Sequence, residues 1–312
     1  MEGILKQPQN LAKLLQSLVD EASKLPVEGD VANYIPALAA VNPDQQGLAV
    51  ATIDGQVVSA GDATVPFSIQ SVSKIFGLVM AMNRVGDQLW KRVHMEPSGQ
   101  PFNSIVQLEW EHGIPRNPFI NAGAIVVSDI LATHYSACKT ALVSFVRQLA
   151  GCETIYPDHE VYLSEKLHGN RNAALAYLMK SFNNIEAEVQ DVLDYYFHQC
   201  SLSMTCEQLA VSLSFLANRG VHPHSGQSIC TRRDAHRINA ILSTSGMYDQ
   251  SGEFAFTVGL PAKSGVGGSI IAVVPNYGVI VAWSPRLNSF GNSCRAMHMI
   301  THLAERLGLS VY

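Results

Sequence analysis

The sequence predicts an α+β fold: one antiparallel sheet built from both ends of the chain, backed by the terminal helices, with a mainly helical region inserted between them. Three observations carry this. Short runs rich in β-branched residues occur near Gly47 and again after Leu260. The stretch between them carries apolar residues three and four apart. Amphipathic helical segments stand at both ends.

Taken in order, "MEGILKQPQNLAKLLQSLVDEASKL" alternates apolar and polar residues at helical spacing. In "GLAVATIDGQVVSAGD" the Asp54-Gly55 pair between two apolar runs signals a hairpin, so the chain enters the sheet near Gly47. "NAGAIVVSDILATH", "RNAALAYLMKSF", "EVQDVLDYYFHQC" and "TCEQLAVSLSFLANRG" are helical. The last opens with a capping box, Thr205 and Gln208, and stops at Gly220. "PAKSGVGGSIIAVVP" and "YGVIVAWSP" are strands split by Pro275-Asn276, and "SCRAMHMITHLAERLG" is a closing helix. The expected division is a discontinuous sheet unit, residues 1–70 with 246–312, and a helical unit, 71–245, with a cleft where they meet.

The chain has 312 residues, of which 47% are hydrophobic and 15% charged, which implies a substantial core. A net charge of −5 without a basic patch argues against nucleic acid as a partner. No apolar run approaches the roughly 20 residues of a membrane helix. The first residues lack the basic-then-apolar layout of a secretion signal, so the expected location is the cytoplasm. Six cysteines without a CxxC pair are expected as free thiols.

The chemistry centres on "FSIQSVSK". A helix beginning at Ser71 would put the Lys74 amine within reach of the Ser71 hydroxyl. Serine is a poor nucleophile until a base takes its proton, and lysine serves as that base only when burial holds it neutral. The apolar "IFGLVM" that follows supplies such surroundings, and the helix N-terminus aims N–H groups at a developing oxyanion. Alone, the pattern also fits a capping serine and an outward lysine. Two further stretches favour chemistry. "AKSGVGGSIIAVV" sets Lys263, Ser264 and Gly265 ahead of an apolar strand, and "YYFHQCS" holds Tyr196, which could carry a proton. The glycine-rich "SGVGGS" lacks the order of a phosphate loop, and His222 to His224 read as a turn, not a metal site. Cys200 and His198 are two apart on a helix and face different ways.

These motifs, with "ANYIPALAAVN", "EPSGQPFNS", "IPRNPFINAGAI", "TSGMYDQSGEFA" and "GLPAKSGVGGSI", resemble the bacterial glutaminases of the serine-dependent, β-lactamase-like family. Glu96 stands where that pattern has Asp. The resemblance implies a β-lactamase/transpeptidase-like fold and hydrolysis of the side-chain amide of L-glutamine to L-glutamate and ammonia, with no cofactor or metal and a homodimer or homotetramer. It implies Ser71 as nucleophile, Lys74 as base, Tyr196 as proton relay and Lys263 as the group that holds the tyrosine poised. Ser71 and Val266 would supply oxyanion N–H groups. Substrate contacts would fall on Ser71, Asn121, Glu165, Asn172, Tyr196, Tyr248 and Val266. A buried carboxylate at Glu165 suits an ammonium, and the two asparagines suit a carboxylate. Each has a plainer reading: Asn121 and Asn172 as caps, Glu165 as a surface charge, the tyrosines as core aromatics. Two other functions fit the same serine less well. They are a β-lactamase or penicillin-binding acyl hydrolase, which predicts export, and a non-catalytic glutamine sensor, which needs none of the catalytic residues.

Overall fold

The structure, a computed structural model, describes residues 8–99 and 104–312. The first seven residues of the expected opening helix and the middle of "EPSGQPFNS" lie outside the described residues.

The strands, in chain order, are β1 (Asp30–Val31), β2 (Gly47–Thr52), β3 (Val57–Gly61), β4 (Phe67–Ser68), β5 (Tyr156–Pro157), β6 (Leu202–Met204), β7 (Ala262–Ser264), β8 (Ser269–Val274), β9 (Gly278–Trp283) and β10 (Arg286–Leu287). The helices are α1 (Pro8–Ser23), α2 (Pro36–Ala39), α3 (Lys74–Val85), α4 (Ile105–Trp110), α5 (Asn121–His134), α6 (Cys138–Ala150), α7 (His159–His168), α8 (Asn170–Ser181), α9 (Val189–Cys200), α10 (Cys206–Leu213), α11 (Arg232–Ser245), α12 (Ser251–Thr257) and α13 (Cys294–Leu307).

The main sheet has five antiparallel strands in the order β3-β2-β9-β8-β7. The early hairpin is stitched to the late one along β2 and β9, from Gly47 opposite Trp283 to Thr52 opposite Gly278. Every residue of β2, β8 and β9 is buried, because both faces are covered. Side chains alternate between faces with period two. Leu48, Val50, Ile270, Ala272, Ile280 and Ala282 pack beneath α1 and α13 against Leu11, Leu15, Leu18, Met299 and Leu303. Ala49, Ala51, Ile271, Val281 and Trp283 join the core of the helical region with Val72, Ile75, Phe76, Ile125 and Leu209.

At the centre of that region, α3 buries nine consecutive residues, Lys74 to Met82, and α5 buries ten, Ala122 to Leu131. Helices apolar all round belong in an interior, and these two pack on each other. The capping box at Thr205 forms as expected. The α-helix it opens ends at Leu213 and passes into a 3-10 turn, Ser214–Leu216, before Gly220. Gly220, with φ of +91°, closes that turn by donating to Phe215 O at 2.8 Å. A small sheet, β4-β6-β5, joins the helical stretch to the residues just before it, and periodicity did not signal it.

Candidate active site

The chain reaches its nucleophile along β4, whose Phe67 and Ser68 pair with Met204 and Ser203 of β6. Phe67 stacks on Trp283 at 4.7 Å, which fixes the approach to the main sheet. A 3-10 turn, Gln70–Ser73, follows, and α3 begins only at Lys74. Gln70 adopts φ of +48°, a region a β-carbon disfavours, so its surroundings must hold it there. Its buried side chain does so: Nε2 donates to Ser68 Oγ at 3.1 Å, and Oε1 accepts from the Tyr34 phenol at 3.3 Å. Ser73 Oγ donates to Gln70 O at 2.7 Å.

Ser71 opens onto a cavity of about 400 Å³. Asn121, Glu165, Asn172, Tyr196, Tyr248 and Val266 line it as well, so all seven expected substrate contacts meet in one place. Lys74 and Lys263 stand behind its wall, both buried.

Lys74 Nζ donates to Phe119 O at 3.1 Å and to Asn121 Oδ1 at 2.8 Å. These acceptors hold the amine at the start of α5. Burial lowers its pKa to about 8. Lys263 Nζ donates to Ser264 O at 2.6 Å and Gly246 O at 3.1 Å. Burial, then the nearby Lys74 charge, holds its pKa well below that of an ordinary lysine. Its nitrogen lies 4.7 Å over the Tyr248 ring, so Tyr248 is a second tyrosine beside it.

Tyr248 is also left-handed, with φ of +52°. Burial pushes its pKa up to about 12, while hydrogen bonds with Ser71, Ser264 and the Val266 backbone pull the other way. The phenol therefore faces the nucleophile across the cavity wall. Tyr196, on α9, is buried and held well above the ordinary tyrosine range by burial, then by Cys200 and Glu165. Glu165, on α7, is only 5% exposed and accepts from Tyr34 Oη at 2.7 Å. Burial raises its pKa, with the Tyr34 and Gln70 hydrogen bonds opposing.

Neither asparagine caps its helix. Asn121 Nδ2 donates to Asn172 Oδ1 at 3.0 Å, which leaves the Asn172 amide hydrogens for a ligand. Gly265 brings the β7–β8 turn against the nucleophile: a β-carbon there would lie 2.6 Å from Ile69 O and 3.4 Å from Ser71 N. This approach sets the backbone of Val266 beside that of Ser71.

The cavity also takes in Tyr34, Gln70, His168, Gly169, Arg171 and Cys200, which sequence reasoning did not assign. Tyr34 lies in the quoted "ANYIPALAAVN", the one signal that could have pointed to it.

The profile of the glutaminase family matches residues 29–312. A glutaminase of Pseudomonas savastanoi pv. phaseolicola is 53% identical over 299 residues, 96% of this chain and 99% of its own. A glutaminase of Vibrio cholerae is 52% identical over 302 residues, with the same coverage of 96% and 99%. Among solved structures, a probable glutaminase of Bacillus subtilis superposes with a TM-score of 0.89 at 34% identity, covering 97% of this chain and 98% of that one. Mglu in its glutamate form superposes with a TM-score of 0.90 at 34% identity, covering 96% and 69%. With a profile match spanning most of the chain and relatives above half identity over nearly its whole length, the chain belongs to the glutaminase family.

Proposed function

We infer that the cavity at Ser71 is where the family's reaction takes place: hydrolysis of the side-chain amide of L-glutamine to L-glutamate and ammonia. The observation that carries this is the meeting of Ser71 with Glu165, Asn121, Asn172, Tyr196, Tyr248 and Val266 around one cavity, with a buried lysine of lowered pKa beside it.

Glutamine enters with its ammonium against Glu165 and its carboxylate toward Asn172. Ser71 Oγ attacks the amide carbon and gives its proton to neutral Lys74, with the Tyr248 phenol facing it to guide the transfer. The oxyanion rests on the N–H groups of Ser71 and Val266. Collapse of the intermediate breaks the C–N bond. The nitrogen takes up a proton, relayed by Tyr196, and leaves as ammonia, and Ser71 holds a glutamyl ester. Water then gives a proton to Lys74 and attacks the ester, the bond between the acyl carbon and Ser71 Oγ breaks, Lys74 returns the proton to Oγ, and L-glutamate leaves. Lys263 packs on Tyr248 and keeps its phenol in place.

The wider reading is a sheet unit (1–70 with 246–312) and a helical unit (71–245) with this cleft between them, working as a homodimer or homotetramer in the cytoplasm. Among the described residues no helix is long and apolar enough to cross a membrane.

Rapid acid quench during turnover, followed by mass analysis, tests the chemistry. A glutamyl group should appear on the peptide containing Ser71 and be absent from Ser71→Ala, which should still bind glutamine. Turnover by Ser71→Ala at the wild-type rate would refute the serine mechanism.

A further inference from the structure

Glu165 is a buried carboxylate on a helix with little to hold it in place. Helix α7 buries only Val161, Ser164 and Glu165; Val161 packs on Ile35 and Leu38, and the half-buried Tyr162 on the main core. Its N-terminal end is tied by polar bonds: Asp158 caps Val161 N at 3.0 Å, and Asp158 N donates to Ser201 O at 2.7 Å. The end that carries Glu165 needs another tether, because a carboxylate withdrawn from water favours a move that rehydrates it.

The Tyr34 bond to the Glu165 carboxylate is one tether, and a second group clamps the helix itself. The Asp194 carboxylate, on α9, accepts from Lys139 Nζ of α6, from Tyr162 Oη of α7 and, at 2.6 Å, from Lys166 Nζ of α7. Lys139 and Lys166 lie 5.1 and 5.3 Å from the centre of the Tyr162 ring, and His198 of α9 meets the same ring edge-on at 6.0 Å. Tyr162 and Lys166 flank Glu165 in sequence, and Asp194 stands two residues before Tyr196. A single exposed ion pair contributes little, but a carboxylate with three partners on two neighbouring helices is a network.

We propose that Asp194, which touches no substrate, is a positioning residue: by clamping the C-terminal half of α7 onto α9 it sets Glu165 where the substrate's ammonium must sit. The proposal rests on Glu165 as the ammonium partner. Asp194 then selects for the α-amino group specifically and has little part in the chemistry at Ser71. Supporting groups of this kind tune a contact they never make.

The test compares wild type, Asp194→Asn and Glu165→Gln. It reads kcat and KM for L-glutamine, and the inhibition constant of 4-carbamoylbutanoate, which is glutamine without its amino group. Asp194→Asn should raise KM for glutamine about tenfold, the lower end of what losing a supporting partner costs, keep kcat within about twofold and leave the inhibition constant unchanged. Glu165→Gln should discriminate in the same sense and more strongly. Lys166→Gln, which removes one partner and spares the carboxylate, should show a smaller shift of the same kind, and serves if Asp194→Asn folds poorly by thermal melt. Equal weakening of both ligands, or of neither, in folded Asp194→Asn and Lys166→Gln would overturn the proposal. Equal weakening of both ligands in Glu165→Gln would instead overturn the ammonium assignment, and the proposal with it.

Discussion

A lysine whose pKa is about 8 makes a definite statement about rate against pH. If Lys74 must be neutral to accept the Ser71 proton, kcat follows its neutral fraction. That fraction is about 1% at pH 6, 9% at pH 7, 50% at pH 8 and 91% at pH 9, from one titration at that pKa. The expected kcat therefore rises about ninefold from pH 6 to 7, about fivefold from 7 to 8 and less than twofold from 8 to 9. Lys263, also lowered by burial, faces the Tyr248 ring and does not take the serine proton. Glu165 is also raised by burial, but it binds substrate, so its protonation appears in KM. The assay is ammonia release at saturating glutamine in constant-ionic-strength buffers. A kcat that is level from pH 6 to 8 would refute a lysine base.

Other expectations follow from single contacts. Lys74→Met should abolish turnover yet stabilise the fold at pH 7 by roughly 1–2 kcal/mol. The 2.5-unit gap between 10.5 and about 8 is a penalty of about 3 kcal/mol, set against two oxygens left without a donor. Because the folded pKa is the lower one, that penalty is full below pH 8 and fades as pH rises toward 10.5, so denaturant midpoints of the two proteins should converge in alkali. Gly265→Ala should lower kcat on the order of a hundredfold with a smaller change in stability, since the new methyl pushes on Ile69 O beside the nucleophile. Asp129→Ala should destabilise by about 3–5 kcal/mol in urea, because this buried carboxylate pairs with Arg92 and accepts from Glu186 N and Ala187 N.

The long elements were legible because burial imposes a period. The quoted "NAGAIVVSDILATH" coincides with α5, and the hairpin at Asp54-Gly55 joins β2 to β3. The seven cavity residues were legible only through motif resemblance, since each alone reads as a cap, a surface charge or a core aromatic. What escaped has no periodic signature. Strands of two or three residues such as β4 and β5 are too short to alternate. The left-handed Gln70 is not a glycine, and nothing local announces its backbone. Tyr34 sits on an irregular loop, half exposed at 49%, where only the fold brings its phenol to Glu165.

The pairing of β2 with β9 has a consequence for biosynthesis. A ribosome releases Gly47–Thr52 long before Gly278–Trp283, so the first hairpin must wait with one edge unfilled while the intervening helices emerge. Nascent chains stopped short of β9 should expose that edge and engage chaperones, and the fold should close late, at a pace set by its most distant partners in sequence.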